Sequence, residues 1–132
     1  MGPQSPPTLV ELPREGWAEY LDLLSADHAG GVANVRARTR GDEDSGARAT
    51  FRPLRNIRYD ARRRELEVAV GADALSAPLR CFIAEPVRIL AGESTAGHVV
   101  LVVDRAGTHT SITVRRAAAI PIGERPSLAQ AG

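Results

Sequence analysis

The sequence predicts an α+β domain: one N-terminal helix packed on a bent, mainly antiparallel sheet of about six or seven strands, curved far enough to approach a barrel. Three observations predict it. A single apolar stripe with helical spacing lies near the N-terminus, and alternating segments separated by turn residues fill the rest. The stretch Ile57–Gly71 reads as a hairpin with a defined inward side: Ile57 and Tyr59 before a polar turn, Leu66, Val68 and Val70 after it. A last alternating pair, 98–103 and 108–115, flanks the turn Asp104-Arg105-Ala106-Gly107.

In chain order, residues 1–10 are expected to form a flexible leader, 11–116 a single domain, and 117–132 a disordered tail. The tail is rich in Ala, contains Pro and has no amphipathic period. The helix is expected from about Pro13 to Ala29, with Pro tolerated in its first turn and Gly30-Gly31 ending it. Trp17, Tyr20, Leu21 and Leu24 share one face, which belongs in the core. From Val32 the period changes, placing Ala33, Val35 and Ala37 inward and Asn34, Arg36 and Arg38 outward. An acidic loop, 41–46, leads to a second strand over Ala47–Arg52, with Arg48 and Arg52 outward; Pro53 should end it or hold it at an edge. The hairpin follows, then a loop or helical turn over Asp73–Ala77. Leu79–Ala84 and Val87–Leu90 are strand pieces broken by a bend at Glu85-Pro86. In the final hairpin apolar residues occupy both faces, so it should be covered on both sides.

Length and composition narrow the possibilities. A chain of 132 residues is large enough to bury its own core. With one cysteine, Cys81, it forms no internal disulfide, and Cys81 alternates with Leu79 and Ile83 as a small inward hydrophobe. The N-terminus lacks a basic stretch followed by an apolar one, and nowhere do about 18 apolar residues run together. The chain is therefore expected in the cytoplasm, without membrane contact. All 17 basic residues are arginine, as a GC-rich genome would favour and as guanidinium chemistry would also require. Charge is uneven: residues 1–30 carry one Arg against five carboxylates, while residues 31–116 carry fifteen Arg against ten. Such asymmetry suits an anionic partner, and equally suits an acidic helix lying on a basic sheet.

Four segments carry a family resemblance: Leu12-Pro13-Arg14-Glu15-Gly16-Trp17 opening a helix with Leu21 and His28; Asn56–Asp60; Glu85-Pro86-Val87-Arg88; and Thr110–Arg115. In this order they resemble an uncharacterised bacterial domain-of-unknown-function family of short α+β proteins, over roughly residues 11–115. The resemblance implies a single α+β domain and no catalytic residue.

No contiguous catalytic motif is present. His28, His98 and His109 are too far apart for a local metal motif and lack Cys partners, so neither metal nor cofactor is expected. His28 falls in the last helical turn, where it suits a capping role. His98 and His109 share the final hairpin and are expected on one face of it. Asp60 and Asp104 begin their turns, where Asp side chains accept from nearby backbone. Gly92–Gly97 has the wrong spacing for a nucleophile elbow.

Two arginine groups are the candidate binding residues. Keeping the inward faces in phase sets Arg58 opposite Glu67 but Arg38 opposite Arg48, and opposed like charges destabilise a sheet unless they splay into water, meet acids from a neighbouring strand or the helix, or share an anion. Arg36, Arg38, Arg48 and Arg52 would then form an outward patch, and Arg62-Arg63-Arg64 a basic hairpin tip. The favoured function is a non-enzymatic binding or interaction domain, with a homodimer paired through sheet edges. The alternatives are an arginine-mediated binder of nucleic acid or another polyanion, and an enzyme with a noncontiguous site. Only five aromatic residues are present, which argues against a stacking platform for single strands.

Overall fold

The computed structural model describes residues 8–39, 46–72 and 74–116, with only the backbone at Ala47, Arg48 and Phe51. The leader before residue 8, most of the acidic loop and the tail from residue 117 lie outside these residues. The described elements are β1 (Val10–Glu11), a 3-10 turn (Arg14–Gly16), α1 (Trp17–His28), β2 (Val32–Arg38), β3 (Gly46–Asp60), β4 (Glu65–Val70), β5 (Leu79–Ala84), β6 (Pro86–Ser94), β7 (Gly97–Asp104) and β8 (His109–Arg115). The domain is α+β, with eight strands among the described residues where about six or seven were expected, ordered β1-β6-β7-β8-β2-β3-β4-β5 with every pair antiparallel. The sheet bends strongly but does not close, leaving β1 and β5 as its edges.

Bending is concentrated at two places. Pro53 was expected to end a strand or hold it at an edge, yet β3 runs on through it between β2 and β4 and changes partner there. Val32 of β2 pairs with Pro53, and Val70 of β4 pairs with Leu54. Proline supplies no N–H to a ladder, so the change of partner at this residue leaves no donor unmatched. Gly31 and Gly30 then take over the Leu54 backbone, through Leu54 N to Gly31 O at 2.7 Å and Gly30 N to Leu54 O at 2.9 Å. The second corner is Glu85, which joins β5 to β6 with φ of 52°, at the bend expected from Glu85-Pro86.

α1 closes the concave side. Trp17, Leu21 and Leu24 join Val35, Leu54, Ile57, Leu66, Val68, Val100, Val102, Ile112 and Val114 in one core. Burial of these side chains, each contributing about 1.5–3 kcal/mol, is the main stabilising term. Ser25 adds a specific tie, since its hydroxyl donates to Ile57 O and accepts from Ile57 N, both at 2.7 Å. At the start of the helix the Trp17 indole donates to Leu12 O at 3.0 Å.

The Ile57–Gly71 hairpin forms in the expected register, with Ile57 opposite Val68 and Arg58 opposite Glu67. Arg58 and Arg80 flank the Glu67 carboxylate at 3.3 and 2.5 Å. The segment 74–78 is a loop, one of the two forms expected there. Three expectations need correction. Val10, assigned to the leader, pairs with Ala91, and Gly92 alongside makes room because a Cβ there would strike the Thr8 carbonyl. A bulge between β2 and β3 pairs Val35 with Ala49 and Arg36 with Ala47, so Arg48 is the extra residue and does not face Arg38. In the last hairpin His98 pairs with Val114 and His109 with Val103. An even-sum register therefore puts the two histidines on opposite faces.

Candidate functional site: an arginine-lined cleft

Four turns that are distant in sequence meet at one end of the sheet and enclose an open cleft of about 640 Å³. The start of the helix contributes Arg14, Glu15 and Ala18; the β3–β4 hairpin contributes Tyr59, Ala61 and Arg64. The β5–β6 corner adds Glu85, Pro86 and Val87, and the β7–β8 turn adds Arg105. Backbone hydrogen bonds tie three of these turns in series: Glu85 N donates to Arg64 O at 2.7 Å, and Arg105 N donates to Glu85 O at 3.0 Å. Arg64 and Glu85 are the only non-glycine residues with positive φ among the described residues, at 53° and 52°. Left-handed backbone costs an L-residue roughly 1–2 kcal/mol. Both strained positions therefore line the same cleft and are bonded to each other.

The cleft is electropositive with apolar walls. Arg105 and Glu85 form an ion pair at 3.3 Å. Arg14 lies over the Trp17 ring, 4.6 Å from its centroid, a cation–π contact that leaves the guanidinium N–H groups available. Neither Arg14 nor Arg64 has a carboxylate partner among the described residues. At the floor Tyr59 meets Trp17 edge to face at 5.2 Å and 81°.

Residues 9–122 match the model of a family of unknown function, DUF5335. The chain belongs to DUF5335. All four segments that carried the family resemblance fall inside this match. No curated protein and no solved structure matches the chain.

Of the arginines expected to bind, this DUF5335 domain brings one to the cleft. Arg64 lines it, whereas Arg62 and Arg63 are exposed at the hairpin tip with their backbone N–H groups on Asp60 Oδ1 at 3.0 and 3.3 Å. Arg36 and Arg38 are exposed on β2, away from the cleft, and the Arg48 side chain lies outside the described atoms. Arg52 overturns its expected outward position: it is 7% exposed. Its guanidinium donates twice to Gly71 O, at 3.0 and 2.7 Å, and also reaches Ala77 O. The change of partner at Pro53 leaves carbonyls at the β4 end that this fork satisfies, so Arg52 is structural. Sequence reasoning missed Arg14, Tyr59, Glu85 and Arg105. The bend at Glu85-Pro86 and the turn at 104–107 were visible, but their meeting depends on the sheet's curvature.

A second polar cluster in this DUF5335 domain joins α1 to the β6–β7 hairpin. The Tyr20 hydroxyl meets His98 Nε2, and His98 Nδ1 meets the Glu93 carboxylate. His28 stacks 5.8 Å from His98, with its Nδ1 3.2 Å from Leu24 O. Burial, then the Glu93 charge, push the Tyr20 phenol above its ordinary pKa. The phenol is thus held protonated, which suits a structural tie and not an activated nucleophile. Nearby, Arg116 pairs with Asp27 and holds its carboxyl below the usual range. Among the described residues no helix is long and apolar enough to cross a membrane.

Proposed function

We propose that the domain is a non-enzymatic binding module of the cytoplasm that takes a small anionic molecule into the cleft at the β3–β4, β5–β6 and β7–β8 turns. The observation that carries this reading is the convergence of Arg14 and Arg64, neither ion-paired among the described residues, on an apolar, backbone-braced cavity of about 640 Å³. That volume lies within the usual range for small-ligand sites. Polyanion binding across the open sheet is less well supported. Arg58, Arg80, Arg88, Arg105 and Arg116 are each engaged by a carboxylate, and of the expected patch Arg36 and Arg38 alone are exposed with described side chains.

The test is amide chemical-shift mapping of the full chain with small organic acids at constant ionic strength. Shifts grouped at residues 14–18, 61–64, 85–87 and 105, and weakened in Arg64→Ala, support the reading. Shifts confined to the Arg36 and Arg38 face, or none at all, refute it. A homodimer paired through an edge strand would use β1 or β5, each with one neighbour among the described strands. Light scattering that returns the mass of one chain at micromolar concentration rules out the dimer.

A further inference from the structure

Resting on the reading of the cleft as the ligand site, we propose that its ligand is an amphipathic monocarboxylate: a small acid with one negative charge and an apolar body. Three features separate this class from phosphate esters and nucleic-acid strands.

The first is charge. Three guanidiniums and two carboxylates line the cleft, and Arg105 and Glu85 already neutralise each other at 3.3 Å. What remains is Arg14 and Arg64 against Glu15, one net positive charge. A monoanion balances it. A dianionic phosphate brings a second charge, which would face Glu15 and Glu85 with no further unpaired guanidinium in the lining to balance it.

The second is the state of the backbone donors. Phosphate sites are built from free backbone N–H groups at helix starts and glycine-rich turns. Here several such donors are already used: Gly16 N binds Pro13 O, Glu85 N binds Arg64 O and Arg105 N binds Glu85 O. At the hairpin tip the Arg62 and Arg63 N–H groups are held by Asp60. The guanidinium side chains of Arg14 and Arg64 carry the recognition, and their planar fork matches a carboxylate in two parallel hydrogen bonds.

The third is the wall. Tyr59, Ala61, Pro86 and Val87 present apolar surface between the charged groups, and the volume far exceeds that of a lone inorganic ion. An apolar body fills that space and gains by desolvation. Tyr59 is braced by Trp17 at 5.2 Å, so little ordering of the floor is needed on binding.

Calorimetry and amide-shift titration with 3-phenylpropanoate, its uncharged amide, phenyl phosphate and a generic oligonucleotide test the assignment. The carboxylate is expected to bind best. The amide should bind at least about tenfold more weakly, because one charge-assisted pair is lost. Arg64→Ala and Arg14→Ala should each weaken the carboxylate by a similar factor, while Arg36→Ala leaves it unchanged. Tighter binding of phenyl phosphate or the oligonucleotide, sensitive to Arg64→Ala, overturns the ligand class and leaves the cleft as the site. Equal affinity for acid and amide at the cleft also overturns it. Absence of any shift at the Arg64, Glu85 and Arg105 amides with every probe overturns both the class and the site.

Discussion

Replacing Ser25 with Ala should cost far more than a helix serine normally does. The hydroxyl is the partner of both the N–H and the C=O of Ile57, each at 2.7 Å, and Ile57 is fully buried. These groups point away from β4, toward the side that β2 no longer occupies once β3 has changed partner at Pro53. Ser25→Ala deletes two hydrogen bonds and leaves two buried backbone groups without partners. At about 1–1.5 kcal/mol for each lost bond, with some further desolvation cost, the loss comes to about 2–4 kcal/mol. Against a usual domain stability of about 5–15 kcal/mol this is a large fraction, and the melting temperature should fall on the order of 10–20 °C. Urea unfolding gives the value directly, provided the slope with denaturant is unchanged. Leu23→Ala is the control, since Leu23 is exposed on the same helix and should change stability by less than about 0.5 kcal/mol. A Ser25→Ala loss within that same margin would refute the account, since water would then be replacing the hydroxyl.

Arg52→Ala should destabilise by about 2–4 kcal/mol in the same assay, because the Gly71 and Ala77 carbonyls lose a charged fork; Arg52→Lys, with a point charge in place of the fork, should recover less than half. Asp27 contributes stability that is present above its ordinary value of 3.8 and is lost as pH falls through its lowered folded value. Asp27→Asn should flatten stability against pH below about pH 4, and an unchanged acid limb would contradict the pairing with Arg116. Tyr20 has the opposite sign: its raised phenol contributes stability that is complete below pH 10.0 and is lost as pH rises through the folded value. Tyr20→Phe should remove that alkaline slope, together with a late rise in phenolate absorbance. Arg64→Gly should hold or raise stability by up to about 1 kcal/mol through relief of its positive φ, while weakening anion binding at the cleft about tenfold.

The hairpin, the helix and the presence, though not the register, of the terminal strand pair were legible because each is a local pattern. Ile57, Leu66, Val68 and Val70 alternate with Arg58, Glu67 and Ala69, and all four are buried on the inward face. Arg58 opposite Glu67 followed from that register alone. The β2–β3 pairing was not legible because its bulge removes Arg48 from the count, and no composition signal marks a bulge. Arg52 was misplaced for a related reason. Alternation predicted an outward side chain, but the turn of the sheet at Pro53 folds the β4 end over that face and buries the guanidinium. The cleft was the least legible feature, since its charged residues at 14, 64, 85 and 105 sit in four separate turns. Only Arg64 was singled out in advance, as part of a basic run whose two other members point elsewhere.

The cleft and the corner that builds it share one physical cause. The chain must turn sharply between β5 and β6, and it does so at Glu85 with a left-handed backbone in place of the glycine that would carry that conformation without strain. The facing residue, Arg64, does the same at the end of its hairpin. Glycine at either site would lower the cost of the turn but remove a charged side chain from the cleft. The two residues are bonded through Glu85 N and Arg64 O, and Arg105 N closes the series on Glu85 O. Strain is therefore held where three charged side chains converge, and the surrounding ladders of β4, β6 and β7 are long enough to hold it. Structural economy alone would place glycine at these positions. The retention of Arg64 and Glu85 in that conformation is what ties the architecture of the corner to the chemistry of the cleft.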